Sequence, residues 1–303
     1  LFGISLIYGT TGSLGFAEIS QSIQAGNMLQ SLAFILLFTG FAFKLSVVPF
    51  HLWTADVYEG SPVAVTAFLS VVSKGAMAFI FITVLYKVFA GMVLTWYYML
   101  AFAAIISMVV GNLFALRQTN LKRFMAFSSI AQVGYLLIGI SGGTQMGIAS
   151  VVYFILIYVF SNLAAFGVIS LISSLTGKET INDYKGLYSS NPVLAIVMAL
   201  ALFSLAGIPP TAGFFGKLFL LTAGAWPGNW ALIIAASLNL IVSLYYYLRI
   251  IRAMFIDTTD EPLMELNFSW SETAAFTLCV MGILGIGFLK GLFELIYNLS
   301  GNF

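Results

Sequence analysis

The chain has 303 residues, of which 61% are hydrophobic and only 8% are charged. Soluble domains contain roughly 45–50% apolar and about 25% charged residues, so the composition excludes a soluble globular protein. Twelve Lys and Arg against eleven Asp and Glu leave no basic surface for nucleic acid, and a single cysteine excludes a disulfide framework, a Cys zinc cluster and an iron–sulfur site. We therefore predict an all-α polytopic membrane protein.

Apolar runs of the length that a bilayer requires, about 20 residues, recur along the whole chain. The first is a partial helix at 1–9, and because no Met or charged leader precedes it, we expect the chain to be the C-terminal portion of a longer protein. Eight complete spans are predicted at 29–50, 62–86, 96–116, 124–141, 147–175, 193–223, 229–255 and 273–298. No linker separates domains, so we expect residues 1–303 to form a single transmembrane domain.

The Lys and Arg residues of the loops predict the orientation in the membrane. If the loops alternate between two sides, one side receives Arg117, Lys122, Arg123, Lys178, Lys185, Arg249 and Arg252, and the other receives Lys87 and Lys290. Because positive loops stay inside, the first side is expected to be cytoplasmic and the C-terminus to lie outside. The cluster Tyr245-Tyr246-Tyr247 beside Arg249 is typical of an aromatic anchor at the interface.

Three lysines fall inside predicted spans: Lys44, Lys74 and Lys217. A charge at the bilayer centre costs about 2.5–3.5 kcal/mol on insertion scales, and ionisable residues at such positions are functional by default. Buried amines without counter-ions can gain and lose protons, which suits a proton relay. A Schiff-base enzyme fits less well, because no pocket for a carbonyl substrate is evident. The alternative is structural: the amines snorkel or make helix–helix contacts.

Helix breakers accompany two of these lysines. Pro49 follows Lys44 by five residues, and Pro209-Pro210 precede Lys217. Broken backbone at membrane depth is tolerated where it is buried in protein or lines a wet cavity, and paired breaks are typical of transporters built from repeats. Lys44 and Lys217 lie 173 residues and five spans apart, which predicts two five-helix repeats. The alternative is a packing kink at each proline.

Polar side chains between the lysines could carry a hydrogen-bonded chain. The candidates are Ser128, Ser129, Gln132, Tyr153, Tyr158, Ser161 and Asn162. Ser and Thr in membrane helices often bond only their own backbone, so each candidate also has a structural interpretation. Gln132 can orient water but cannot relay a proton as imidazole does.

A second polar cluster, His51, Asp56 and Glu59, follows the first break near the expected cytoplasmic side. It is either a capped, solvated helix end or the mouth through which protons are taken up. His51 is the only histidine, and a zinc site needs at least three protein ligands, so no metal site is predicted.

The stretch Trp53-Thr54-Ala55-Asp56-Val57-Tyr58-Glu59-Gly60-Ser61-Pro62 resembles the antiporter-like family of respiratory complex I, in its subunit N (mitochondrial subunit 2) branch. The other matching motifs are Ser73-Lys74, Ser128-Ser129-Ile130 with Gly134-Tyr135, residues 204–209 with Gly213-Phe214 and Gly216-Lys217, and residues 245–249. The resemblance covers essentially the whole chain. The chain departs from the family at Gln132, where many relatives have His, and at Ala55 and Val63-Ala64, where Pro and Thr-Pro are common.

The resemblance implies an antiporter-like fold with two inverted five-helix repeats. The first repeat would be truncated here, the second would cover about 96–255, and a final helix would lie at about 273–298. Lys44 and Lys217 would be the broken-helix lysines and Lys74 the connecting lysine. The glutamate that partners the residue matched by Lys44 would lie upstream of this chain.

By the same resemblance, the function would be proton translocation in a membrane subunit of NADH:quinone oxidoreductase. NADH, FMN, iron–sulfur clusters and quinone would be bound by partner subunits, and this chain would hold no cofactor. The partners would be antiporter-like and small hydrophobic membrane subunits, with lipids around them, in a bacterial inner membrane. An Mrp-type cation/proton antiporter subunit and a passive membrane scaffold are the alternatives.

Overall fold

The computed structural model of the chain describes residues 1–225, 228–259 and 261–301 and consists of α-helices joined by short turns. The helices are α1 Phe2–Thr11, α2 Phe16–Ser22, α3 Met28–Leu45, α4 Leu52–Gly60, α5 Val63–Phe68, α6 Lys74–Lys87, α7 Val93–Arg117, α8 Leu121–Ser141, α9 Gln145–Thr176, α10 Leu187–Ser190, α11 Pro192–Ala206, α12 Ala212–Gly224, α13 Trp230–Phe255, α14 Trp270–Phe288 and α15 Lys290–Ser300. Within the described residues, seven continuous stretches are long and apolar enough to cross a membrane. The predicted all-α polytopic class is confirmed.

Helix α8 is the centre of the bundle. All of its residues except Arg123 are buried, because α7, α9, α12 and α4 pack around it. Its polar residues Ser128, Ser129 and Gln132 therefore face other helices rather than lipid. Because α8 is central, its predicted polar residues can contact helices that precede α8 in the chain as well as helices that follow it.

The predicted span at 193–223 is one path made of two helices, α11 and α12. Helix α11 ends because Gly207 adopts a left-handed conformation with φ of 83°, which favours glycine. The chain then turns through Pro209-Pro210, and α12 packs so closely on α11 that a Cβ at Gly213 would overlap the carbonyl oxygen of Ser204. Glycine is required there by the close approach of the two backbones.

The first break lies earlier than the sequence predicted. We expected a span over 29–50, but α3 ends at Leu45, where Ser46 adopts a left-handed conformation with φ of 68°. The amide of Val47 then donates to the carbonyl of Ala42 at 2.8 Å, which closes the helix end. The chain resumes as α4, a short helix between the spans that were predicted at 29–50 and 62–86.

The predicted span at 62–86 contains an interruption that the sequence did not indicate. Residues Leu69–Ser73 form a π-helical turn between α5 and α6, and Lys74 is the first residue after it. Single π turns inside α-helices are frequent at functional sites. No glycine or proline marks this turn, which is why pattern reading missed it.

The last predicted span, 273–298, is wrong as a single helix. Helix α14 ends at Phe288, and α15 begins at Lys290 after Leu289 leaves the helical conformation. Both helices follow α9 in the opposite direction: a Cβ at Gly282 would overlap the Phe160 ring, and the Gln145 amide donates to the Tyr297 carbonyl at 2.7 Å. Helices α14 and α15 together cover the predicted range, but the break between them at Leu289 was not predicted.

The loops expected on the cytoplasmic side meet at one end of the bundle. Lys122 forms a 2.9 Å ion pair with Glu179, which joins the start of α8 to the segment after α9. Arg249 near the end of α13 donates to the carbonyls of Leu116 and Gln118 at 2.6 and 2.7 Å. These contacts join loops that the sequence placed on the same side of the membrane. The side that this end of the bundle faces stays a prediction.

Candidate functional site

Lys74 is buried, with 4% of its surface exposed. Its ammonium donates to the Ser129 hydroxyl on α8 at 2.8 Å and lies 5.6 Å from the centre of the Tyr58 ring. The Ser129 hydroxyl in turn donates to the carbonyl of Ala126 at 2.8 Å. Among the described residues the structure gives Lys74 no ion pair, so a hydroxyl and an aromatic face replace the usual carboxylate.

Tyr158, one of the predicted polar residues, lies near Lys74 together with Ser70, which was not predicted. The Tyr158 hydroxyl of α9 and the Ser70 hydroxyl of the π turn are 3.2 Å apart, and both side chains are buried. We call Lys74, Ser129, Ser70 and Tyr158 the first lysine group. The π turn brings Ser70 to this group.

Lys217 is buried to the same degree, with 2% of its surface exposed. Its ammonium donates to the carbonyls of Leu205 at 2.6 Å and Ala206 at 3.2 Å, and lies 4.9 Å from the centre of the Tyr135 ring. These carbonyls are at the C-terminal end of α11, where the helix dipole favours a cation. The break at Gly207 is therefore what provides Lys217 with acceptors.

A cavity of about 210 Å³ adjoins Lys217. Its wall is otherwise mainly apolar, formed by residues of the α11–α12 break, α12 and α13, among them Phe214, Leu240 and Leu244. The cavity leaves open space beside the Lys217 amine, and its apolar wall makes that amine the main polar group that borders it.

Gln132 connects Lys217 to the centre of the bundle. Its amide nitrogen donates to the Leu205 carbonyl at 3.0 Å, the same oxygen that Lys217 binds, and to the Tyr247 hydroxyl at 3.1 Å. The Tyr247 and Ser128 hydroxyls are 2.5 Å apart. We call Lys217, Gln132, Tyr247 and Ser128 the second lysine group. Three of these four residues were predicted as relay candidates, and Tyr247 was not.

The prediction of an interfacial aromatic anchor is wrong for Tyr246 and Tyr247, which are completely buried. Only Tyr245, 65% exposed, remains on the surface. The signal that could have found them is helical spacing: Asn239, Ser243, Tyr246 and Tyr247 lie on one face of α13. That polar face turns toward the centre of the bundle.

Lys44 has surroundings unlike those of the other two lysines. It lies in the last turn of α3 and is only partly buried. In the part of the chain that the structure describes, its amine has no hydrogen bond or ion pair. The indole nitrogen of Trp53 donates to the Phe43 carbonyl at 2.9 Å and holds α4 against the end of α3.

The cluster of His51, Asp56 and Glu59 is divided in the structure. Asp56 and Glu59 both bind Arg123 at the start of α8, at 2.7 and 2.8 Å. His51 is buried at the beginning of α4, and its Nδ1 has no hydrogen-bond partner among the described residues. The carboxylates therefore form a surface ion cluster that joins α4 to α8.

The remaining predicted residues lie further from the two lysine groups. The Tyr153 hydroxyl donates to the Ile286 carbonyl at 3.2 Å, which places it against α14. Asn162 donates to the carbonyl of Tyr158 in its own helix, and Ser161 donates to the Ser204 hydroxyl at 2.7 Å, which connects α9 to α11.

Outside the membrane segments, Glu179 is the most constrained carboxylate. Burial acts to raise its pKa, but hydrogen bonds from Ser173 and Lys122 outweigh burial and lower the pKa below the ordinary value. The Ser173 hydroxyl donates to it at 2.7 Å. Glu179 is therefore ionised at neutral pH and holds Lys122 in place. Within the described residues, no group of three or more His, Cys, Asp or Glu side chains could hold a metal ion.

Broken helices, a central polar helix and two buried lysines that pair with no carboxylate among the described residues are typical of the antiporter-like class of membrane proteins. The profile of the family described as NADH:quinone oxidoreductase/Mrp antiporter, TM, matches residues 1–243. The chain belongs to this family. The resemblance stated from the motifs is thereby confirmed.

Individual relatives point to one branch of the family. NADH-quinone oxidoreductase subunit N of Azobacteroides pseudotrichonymphae is 50% identical over 302 residues, covering 99% of this chain and 63% of the relative. The chain thus spans less than two thirds of the length of that curated relative. Respiratory complex I from Thermus thermophilus contains a chain 34% identical, with a TM-score of 0.80, that matches over 96% of this chain and 63% of its own length.

The fold is shared more widely than this branch. A chain of the Mrp complex from Dietzia is 23% identical, with a TM-score of 0.88 over 99% of this chain and 64% of its own length. At that identity the likeness shows the fold alone. The Mrp complex therefore keeps its place as an alternative and does not displace the subunit N branch.

Proposed function

We propose that this chain forms the larger part of a proton-translocating membrane subunit of NADH:quinone oxidoreductase. The observation that carries the proposal is the pair of buried amines, Lys74 and Lys217, each held by neutral groups and each in contact with α8. An amine without a carboxylate partner can lose its proton without leaving a buried counter-charge, which a structural ion pair cannot do.

The proposed route begins at Lys44 on the cytoplasmic side. A proton passes by water to Lys74, crosses the polar residues of α8 around Gln132, reaches Lys217 and leaves to the outside. Ser128, Ser129 and Tyr158 line the central part of this route, and Tyr153 and Asn162 support the helices that carry it. Lys44 is partly exposed and unpaired among the described residues, which suits a partner from upstream of the chain, such as the glutamate that the resemblance implies.

The mouth of the route is proposed at the first break. His51 is buried there, and Asp56 and Glu59 are bound to Arg123 at the adjacent surface. The ion cluster would attract cations to this end of the bundle. Pro49 lies in the break between α3 and α4, where its missing backbone N–H disfavours a continuous helix. The corresponding break at Pro209-Pro210 would serve the exit half.

The architecture and location belong to the same proposal. We propose one transmembrane domain, with the first repeat incomplete, the second over about 96–255 and the last helices over about 273–298. The Lys and Arg loops would face the cytoplasm of a bacterium and the C-terminus the outside. Partners would be antiporter-like and small hydrophobic subunits, with NADH, FMN, iron–sulfur clusters and quinone held by other subunits of the complex.

The test uses the assembled complex that carries the complete subunit. Lys217→Ala is reconstituted in sealed liposomes, and quinone reduction and the proton gradient are followed together. Loss of both supports an obligatory coupled relay, and intact pumping at normal turnover refutes it. Lys178→Ala, which removes a loop lysine outside the membrane segments, is the matched control and should leave both signals unchanged.

The Mrp alternative is tested by purification. Co-isolation with flavin and iron–sulfur subunits supports the oxidoreductase, whereas co-isolation with antiporter subunits alone supports an Mrp-type cation/proton antiporter. A passive scaffold would be indicated if Leu or Met could replace all three lysines without functional loss.

A further inference from the structure

We infer that Tyr247 is a positioning residue for proton transfer to Lys217, because its hydroxyl fixes the orientation of the Gln132 amide. This inference rests on the proposed function and extends it to a residue that the sequence assigned to an aromatic anchor. Tyr247 is completely buried on α13, and its hydroxyl lies between the Ser128 hydroxyl and the Gln132 amide.

The hydrogen bonds of Gln132 determine which way its amide faces. A backbone carbonyl can only accept, so the group within 3.0 Å of the Leu205 oxygen must be the amide nitrogen. The second hydrogen of that nitrogen is donated to the Tyr247 oxygen at 3.1 Å. Both donors of the amide are therefore used, and neither can turn toward Lys217.

This orientation leaves the Gln132 carbonyl oxygen as an acceptor. That oxygen is buried and has no hydrogen-bond partner in the described part of the chain. A buried acceptor in this state favours a water molecule or a cation as its partner. Lys217 binds the same Leu205 carbonyl as the Gln132 amide nitrogen, so the orientation of the Gln132 amide is set next to the acceptor of the Lys217 amine.

The role of Tyr247 follows from what its loss would allow. Without the Tyr247 hydroxyl, one hydrogen of the Gln132 amide is unpaired, and rotation of the amide plane is opposed only by the Leu205 carbonyl. The amide that shares the Leu205 carbonyl with Lys217 would then no longer be held in one orientation, and its acceptor oxygen would turn with it. Ser128 would also lose its 2.5 Å partner, which separates it from the second lysine group.

The neighbouring residue provides a matched control. Tyr246 is equally buried on the same helix, but its hydroxyl donates to Asn112 at 2.9 Å, and Asn112 donates to Asn239 at 2.8 Å. This amide pair joins α7 to α13 and touches neither lysine. Replacing either tyrosine by Phe removes one buried hydroxyl, but only Tyr247→Phe removes a hydrogen-bond partner of Gln132.

The experiment compares Tyr247→Phe and Tyr246→Phe in the complete subunit within the assembled complex, reconstituted in liposomes. We expect Tyr247→Phe to slow proton translocation roughly tenfold, equivalent to the loss of one buried hydrogen bond. Its H2O/D2O isotope effect should rise, because proton transfer becomes rate-limiting, which a purely structural defect would not cause. Tyr246→Phe should keep the wild-type rate and isotope effect.

Equal behaviour of the two variants, or a slow Tyr247→Phe variant with an unchanged isotope effect, would overturn the inference. Lys217→Ala in the same assay separates this failure from failure of the proposed function. If Lys217→Ala abolishes pumping while Tyr247→Phe is normal, only the role of Tyr247 is lost. If Lys217→Ala pumps normally, the relay itself is wrong.

Discussion

Replacing each buried lysine by methionine should have unequal effects on stability, because the two amines are held by different groups. Lys74 donates to a side-chain hydroxyl, whereas Lys217 donates to two backbone carbonyls. Methionine has a similar volume and no charge. The Lys74→Met and Lys217→Met variants therefore compare one loss of charge in two settings.

For Lys74→Met, removing the charge gains about 2.5–3.5 kcal/mol on insertion scales. The variant loses a charge-assisted hydrogen bond worth about 1.5–3 kcal/mol and a ring contact worth about 0.5–1 kcal/mol. Ser129 still donates to the carbonyl of Ala126, so no donor is left unpaired. The gain and the losses are of similar size, so we expect the free energy of unfolding to change by less than about 1 kcal/mol.

For Lys217→Met, the same gain is offset by larger losses. Two charge-assisted hydrogen bonds disappear, each worth about 1.5–3 kcal/mol. The Leu205 carbonyl keeps Gln132 as a donor, but the Ala206 carbonyl at the end of α11 loses the donor that the structure shows for it. We expect a destabilisation of about 1–2 kcal/mol, because an unsatisfied buried carbonyl adds its own cost.

The assay is thermal unfolding of the complete subunit in detergent. Maleimide labelling of Cys279 measures the fraction of unfolded protein at each temperature. This cysteine is buried on α14 and is the only one in the chain, and its labelling is quantified by peptide mass spectrometry. Lys74→Met should label at nearly the same temperature as wild type, and Lys217→Met should label at a lower temperature. A midpoint for Lys74→Met as low as that of Lys217→Met would refute the reasoning.

Three further predictions concern the framework. Glu179→Gln should destabilise the protein by about 2 kcal/mol at neutral pH, because the buried Lys122 amine loses its ion-pair partner. Folding lowers the pKa of Glu179, so the difference in thermal midpoint from wild type should shrink as the pH falls below the ordinary value of 4.5 and vanish below the folded pKa. A difference that persisted at low pH would contradict the pairing. Gly213→Ala should lower the free energy of unfolding by about 3 kcal/mol or more and reduce the yield of assembled subunit, because its Cβ would overlap the Ser204 carbonyl. Normal assembly of this variant would show that α11 and α12 can move apart. Arg249→Gln should lower the unfolding midpoint by the equivalent of about 1–3 kcal/mol, because it uncaps the last carbonyls of α7, and Arg249→Lys should recover only part of it.

The sequence predicted the features that charge and proline make visible. Lys74 and Lys217 are unusual in an apolar run, and both are buried as that pattern indicated. The break at Pro209-Pro210 is equally visible, because proline removes a backbone donor. Such features are local, so one sequence is enough to find them.

Features that depend on partners were not visible. The π turn before Lys74 has no composition signal, and the end of α3 at Leu45 depends on a left-handed serine. Tyr247 was misassigned because a tyrosine near an arginine is common at membrane interfaces, and only its face on α13 shows that it points inward. The division of His51 from Asp56 and Glu59 depends on Arg123, 64 residues further along the chain than Glu59.

The two lysine groups meet α8 at nearly the same depth in the membrane. Lys74 contacts α8 at Ser129, and Lys217 shares an acceptor with Gln132, three residues away. At 1.5 Å per residue these positions differ by about 5 Å along the helix axis. A proton that moved between the groups would therefore travel mainly in the membrane plane, across α8 rather than along it. Net movement across the bilayer would then depend on the two broken helices, whose breaks lie between Leu45 and Leu52 and at Pro209-Pro210. If so, a variant that removes the central Gln132 contact should uncouple uptake from release, whereas a variant at either break should block only one of them.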